Sequence, residues 1–281
     1  MTLLPRDPSA HAALDAIGQL PDGEIDIAVA ALQLARVDAP GADWQAARQH
    51  LSVLAREAVV LARGVPAGDL PTRARVLALL ISARHGYAGD TEDYDNLSNA
   101  NLIHVIARRR GLPVALGIIW LHAARAVGWA AHGVDFPGHF LLALEGDGGK
   151  IVLDVFAGGT PLDTGALRRL LRSVEGDQAE LRPGLLAPMS SRAVLLRLQA
   201  NIKRRRLDGG DVAGALACTE DMLRIAPNRA MLWREAGQLN QRLDRIGAAL
   251  RCYEALLASL PLGETAARTQ ALIDALRARP H

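Results

Sequence analysis

Two polar side chains stand where acid–base chemistry could be done. His139 and Asp154 are 15 residues apart, on either side of a Gly/Asp-rich run, Glu145-Gly146-Asp147-Gly148-Gly149. That run reads as a hairpin turn. Strands pairing across it bring His139 and Asp154 near-opposite, on one face. An Asp beside a His holds the ring in one tautomer and raises its basicity. Gly138 removes bulk next to the ring, and Asp154 interrupts an apolar segment, IVLDVF, where a carboxylate is costly unless paired. The plain alternative is a structural hydrogen bond between two buried groups. Acyl transfer needs a third member, a nucleophile at a helix start, where the helix field stabilises a thiolate. The corresponding stretch is Gly111-Leu112-Pro113-Val114-Ala115, with no Cys, Ser or Thr. General-base attack by water remains open to a His–Asp pair.

Around this pair lie candidate ligand contacts. Arg109 and Arg110 close a basic triplet just before Gly111 and are suited to a ligand carboxylate. Residues 85–101, HGYAGDTEDYDNLSNAN, are the most polar run of the chain and contribute Asn99 as a further ligand contact or, with Ser98, as a helix cap. A solvated connector is the plain reading of that run. His104, His122, His132 and Asp95 can be drawn as a metal set, but no pair has the spacing of a known site. Neither metal nor cofactor is expected.

The positioning elements follow from periodicity. Helices are predicted over 24–37, with Asp22 or Asp26 as cap, and over 43–63 and 72–84. Another covers 101–109. Pro113 suits the first position of an apolar helix that Gly128 ends, the buried centre of the domain. Strands are expected at 130–135, 139–144 and 150–155, and a helix at 163–174. Residues 1–22 are expected to be loosely ordered, with room for one short helix, 23–175 to form the first domain, 176–189 a linker, and 190–281 a second domain.

The second domain repeats. At an offset of 34, Ala215-Leu216 matches Ala249-Leu250, Cys218 matches Cys252, Leu223 matches Leu257 and Pro227 matches Pro261. This is the period of tetratricopeptide helical hairpins. Cys218 and Cys252 then read as small packing residues, and two cysteines make no disulfide framework.

Half of the 281 residues are apolar and 4% are aromatic, so the core is built from Leu, Ala, Val and Ile. Net charge is +2, with 15 basic against 9 acidic residues after position 189. Arg108–Arg110 and Lys203–Arg206 lack interleaved aromatics and read as solvated helix ends rather than as a nucleic-acid surface. No signal peptide or membrane span is read, and a cytoplasmic location is expected.

RRRGLPVALGIIWLHAARAVGW, DFPGHFLLAL and VLDVFAGG together resemble the SirB family of bacterial transglutaminase-like proteins with C-terminal tetratricopeptide repeats. The resemblance covers about residues 24–281. It implies an α+β, papain/transglutaminase-like core with N-terminal helices and a small antiparallel sheet, followed by an α-helical repeat domain. In the wider superfamily a Cys-His-Asp triad acts. By motif the His is similar to His139 and the Asp to Asp154, and the Cys slot falls on Pro113. Ala115 stands where the SirB family commonly has Ser. The implied function is a non-catalytic protein that binds a protein or peptide partner through its cleft and repeats. The alternative is a hydrolase or amidase using His139 and Asp154 to activate water.

Overall fold

The structure, a computed structural model, describes residues 8–66, 68–147, 149–261 and 263–278. The chain divides into two compact units. One holds residues up to Ala10 and Pro21–Leu198, the other His11–Leu20 and Gln199–His281.

In the first unit, three helices form the layer the periodicity implied: α2 (Ile27–Asp38), α3 (Trp44–Leu61) and α4 (Leu70–Ala78). Each starts at an aspartate whose carboxylate accepts backbone N–H groups of the first turn: Asp26, Asp43 and Asp69. Asp22, the other candidate cap, serves a different helix. Its carboxylate takes the N–H groups of Ser191 and Arg192, at 2.8 and 2.9 Å, at the start of α8 (Ser191–Asp208). After α4 the backbone widens into a π-helical turn, Leu79–Arg84.

The polar run is folded, not merely solvated. It carries β1 (Ala88–Gly89) and a 3₁₀ turn, Leu97–Asn99. The next helix, α5 (Leu102–Arg108), is capped by Asn101 rather than by Ser98 or Asn99. Arg109 ends it in the left-handed conformation, φ 60°. β2 (Arg110–Gly111) pairs in parallel with β1. Such a two-residue pairing has no alternation to betray it.

The buried helix is α6 (Pro113–Ala126), with Pro113 at its start. Four antiparallel strands follow: β3 (Ala131–Phe136), β4 (His139–Gly146), β5 (Gly149–Asp154) and β6 (Thr160–Leu162). Gly148, in the expected turn, lies outside the described residues. α7 (Thr164–Glu175) comes next, and β7 (Pro188–Met189) completes a sheet of order β6-β5-β4-β3-β7. Both edge strands contain a proline, Pro161 and Pro188, which blunts them against further pairing.

The sheet is covered on both faces. On one, Phe140 lies against Gly117 of α6 so closely that a Cβ there would fall 2.1 Å from a ring carbon. On the other, Val134, Phe136, Leu141, Ala143 and Val152 bury Leu167 and Leu171 of α7. Burying each such leucine is worth about 1.5–3 kcal/mol. Leu181, Leu185 and Leu186 pack onto the same cluster. The segment 176–189, expected as a linker, therefore belongs to the first unit, and the division falls inside α8.

The second unit contains α9 (Val212–Ile225), α10 (Ala230–Arg242), α11 (Ile246–Ser259) and α12 (Glu264–Arg277). The repeated small residues Ala215 and Ala249 are fully buried, and Gly237 admits the Tyr253 ring. Cys218 is buried, while burial raises the Cys252 thiol above its usual range. A raised thiol is the opposite of an activated nucleophile at Cys252.

The N-terminal helix is held by the repeat unit. Residues 1–7 lie outside the described residues, but Pro8–Gln19 form a helix, α1. Its residues from His11 onward join the repeat unit. Asp15 pairs with Arg224 at 2.7 Å, His11 with Asp221 at 3.3 Å, and a Cβ on Gly18 would lie 2.1 Å from the Arg224 carbonyl oxygen. Because that oxygen is backbone and cannot yield, Gly18→Ala should destabilise the repeat unit. Helix propensity favours alanine by up to about 1 kcal/mol, yet the clash should leave a net loss of about 1–3 kcal/mol. Urea unfolding followed by circular dichroism measures the sign directly.

Candidate functional site

The α6 start is held by backbone rather than by a side-chain cap. Leu112 N–H donates to the Asn99 carbonyl at 2.8 Å. Gly111 is pressed against Val105, where a Cβ would come within 2.9 Å. Asn99 is fully buried. Its amide nitrogen donates to the Asp93 carbonyl at 2.7 Å, and its amide oxygen accepts from Arg108 at 2.9 Å. Arg108 also pairs with Asp90 at 2.9 Å. The Asp93 backbone N–H, ahead of Arg108 and Asn99, holds the Asp90 carboxyl below the usual carboxylate range. The loop folds onto Phe156, whose ring meets Tyr94 at 5.8 Å and closes over Gly89.

The His139–Asp154 pair is not assembled as a dyad. Asp154 Oδ1 accepts the N–H groups of Phe156 and Ala157, at 3.0 and 3.2 Å, and so stabilises its own turn. Among the described residues, the His139 ring makes no hydrogen bond or ion pair. Register explains why the two share a face without meeting. Leu142 opposes Leu153, so the next position along puts Asp154 beside Leu141, diagonal to His139. His139 opposes Phe136, a member of the α7-side cluster. Phe140, one residue on, faces α6. The pair thus lies on the α7 face of the sheet, with Pro113 and Ala115 on the helix covering the other face. What His139 does contribute is its carbonyl, which accepts from Arg197 at 2.9 Å. Arg197 also pairs with Asp135 and lies over the Phe140 ring.

The ligand candidates divide. Arg110 is exposed and bonds the Gly86 carbonyl at 3.0 Å. Arg109 is committed inside the unit. Its guanidinium donates to the Tyr87 hydroxyl and the Ile106 carbonyl, sits 4.7 Å from the Tyr87 ring, and approaches His50 Nδ1 at 3.4 Å. His122 bonds the Leu51 carbonyl at 3.0 Å.

Arg109 leads to a cluster that sequence reasoning missed. The His50 and His85 rings meet edge-on at 5.2 Å, and His85 Nε2 lies 2.9 Å from Glu57. Burial, then the Arg109 charge, lowers His50 to about 4, and burial raises Tyr87 to about 12. Bonding to His85 holds Glu57 low. His50 comes from α3, His85 from the end of the π-turn and Tyr87 from just before β1, so no local spacing signals their meeting. The π-turn and the left-handed Arg109, both rare backbone states, converge on this cluster.

Comparison with known proteins gives the following. Residues 45–200 match the family model described as the transglutaminase-like superfamily, and residues 202–274 match a tetratricopeptide repeat model. A UPF0162 protein of Xylella fastidiosa (strain Temecula1) is 32% identical over 179 residues, 63% of this chain and 64% of that one. Another, from Xylella fastidiosa strain 9a5c, is 34% identical over 54% of this chain and 55% of its own. The match thus spans less than two thirds of either relative. A UPF0162 protein of Vibrio cholerae is 27% identical over 90% of this chain and 93% of its own. Among solved structures, a crystal structure of menin aligns with a TM-score of 0.39 and 9% identity, over 98% of this chain and 75% of that one.

Two measurements follow from this geometry. Asn99→Ala leaves the Arg108 donor and the Asp93 carbonyl without their buried partner and should cost about 1–3 kcal/mol in urea unfolding, whereas Arg110→Ala, at an exposed site, should cost less than about 0.5 kcal/mol. His50 binds its proton more weakly folded than unfolded. The stability this implies is present above the unfolded value of 6.5 and is lost as pH falls from there toward about 4. Solvent screening of the half-buried ring limits the loss to about 1–2 kcal/mol. His50→Gln should flatten that part of the stability–pH curve, and an unchanged slope would remove His50 as its origin.

Proposed function

We propose that this chain, which belongs to the transglutaminase-like superfamily, is a binding scaffold that does no covalent chemistry of its own. In this reading it engages a protein or peptide through its repeat region and through the surface around the start of α6. The tetratricopeptide repeats support such a role. The finer kinship to the SirB family belongs to the same proposal and rests on the GLPVA, FPGHF and VLDVF segments.

The observation that carries the reading is the composition of the helix start. Pro113 fills its first position, and Ala115 follows with no exposed surface. Between Gly111 and Trp120 no side chain bears a thiol or a hydroxyl. A helix field has nothing there to ionise. The water-activating alternative draws no support from the site, because among the described residues the Asp154 carboxylate bonds its own turn and not the His139 ring.

No described helix is long and apolar enough to cross a membrane, and within the proposal the protein works in the cytoplasm. No cofactor is assigned to it. The test is a panel of peptide, amide and ester substrates incubated with the full chain. The expected result is no turnover above buffer, with His139→Ala and Asp154→Asn indistinguishable from the parent. Turnover lost in His139→Ala would overturn the proposal.

A further inference from the structure

The repeat unit carries a groove with an uneven charge. Between α8 and α10 lies a depression of about 550 Å³, lined by Leu207, Glu235, Gln238, Leu239, Gln241 and Arg242. Its one carboxylate is already answered, since Lys203 Nζ lies 2.5 Å from Glu235. Its arginine is not. Among the described residues, the guanidinium of Arg242 makes no hydrogen bond or ion pair. The same holds for Arg234, two turns earlier on α10. Arg234, Gln238 and Gln241 follow one another along α10 at intervals of four and three residues, the spacing of a single helix face, with Arg242 beside them at the helix end. Three of these four are exposed, and Gln241 is half-buried, held by the Tyr253 hydroxyl at 2.6 Å.

We propose that this groove binds an acidic peptide segment, a choice that rests on the scaffold reading above and names its partner's chemistry. Two unanswered guanidinium groups on α10, those of Arg234 and Arg242, favour carboxylates, which they hold in paired, directional hydrogen bonds. Gln238 offers both a donor and an acceptor, as peptide main chain requires. Leu239 and Leu207 supply an apolar floor. Geometry also sets the spacing. Arg234 and Arg242 are eight positions apart on a helix, so about 12 Å at 1.5 Å per residue. An extended peptide covers that in about three to four residues. The partner carries acidic residues three or four positions apart, with small or polar residues between them. Nucleic acid also carries spaced anions, but the one aromatic residue of α10, Trp233, packs on the cluster around Tyr253 and donates to the Pro227 carbonyl, away from the arginine stripe.

The experiment is fluorescence anisotropy with the full chain and three labelled probes: a 12-residue peptide with glutamates at every third or fourth position, the same peptide with each Glu replaced by Gln, and an oligothymidylate of matching charge. The expected result is that the Glu peptide binds at least tenfold more tightly than the Gln peptide. Its binding should weaken at least tenfold in Arg242→Gln and further in the double variant with Arg234→Gln, with helical circular dichroism unchanged. Arg242→Glu should bind a Lys-containing peptide in its place. Equal binding of the Glu and Gln peptides overturns the acidic assignment and leaves the scaffold reading standing. An oligothymidylate that displaces the Glu peptide at lower concentration overturns it in favour of nucleic acid. Absence of binding by all three probes also overturns it. The scaffold reading, by contrast, falls on the appearance of His139-dependent turnover.

Discussion

An apolar helix must be covered on every side, and the first unit is arranged around that requirement. From Val114 to Ala124, α6 has a single polar side chain, His122, and that one spends its ring nitrogen on the Leu51 carbonyl. α2 and α3 cover one side and the sheet the other. The sheet approaches closely only because Gly117 has no side chain where Phe140 arrives. A methyl group there would push the helix from the strands, and close-packed interiors absorb such displacements poorly. The polar parts of the unit are pinned around this contact: Asn99 at the helix start, and Asp22 and Arg125 with Ser191 where α8 begins.

That arrangement also bears on the lack of an assembled triad. A helix start inside a fold is a strong site for an ionised nucleophile, because its N–H groups and dipole are fixed before any substrate arrives. Pro113 removes one of those N–H groups, and no side chain on the first turns can replace the missing thiol. On the strands, the polar groups serve structure. Asp154 closes the turn into β6, and the His139 carbonyl receives Arg197. Oδ1 of the Asp154 carboxylate takes two backbone donors, and among the described residues neither of its oxygens bonds the His139 ring. In the scaffold reading these groups keep the surface in one shape.

The His50–His85–Tyr87–Arg109 cluster shows how a charged environment can be built without a charged sequence motif. Its members are scattered from α3 to the end of α5, and the rings meet because the π-turn rotates His85 toward Glu57. Arg109 takes a backbone conformation that a residue with a Cβ seldom adopts, and its side chain is then placed over Tyr87. The low affinity of His50 for a proton follows from burial first and from the neighbouring guanidinium second.

Much of the architecture was legible because periodicity and capping are local. Apolar spacing marked α2 through α7, Pro113 marked the start of α6, and the 34-residue offset marked the repeat hairpins. The absence of a nucleophile between Gly111 and Ala115 was equally plain, since it concerns which side chains exist rather than where they go. What tertiary structure alone decided is pairing across distance. The face that His139 occupies depends on its register with Phe136, and a shift of one residue would have turned it toward α6. Asp22 was read as a cap for its own neighbourhood but caps a helix 169 residues away. A short helix within residues 1–22 was open from the sequence, but nothing local shows that it joins the repeats, because the fit lies in Gly18 meeting the carbonyl of Arg224. Propensity and pattern act between neighbours along the chain, whereas a close backbone approach is a property of two surfaces that only the folded chain brings together.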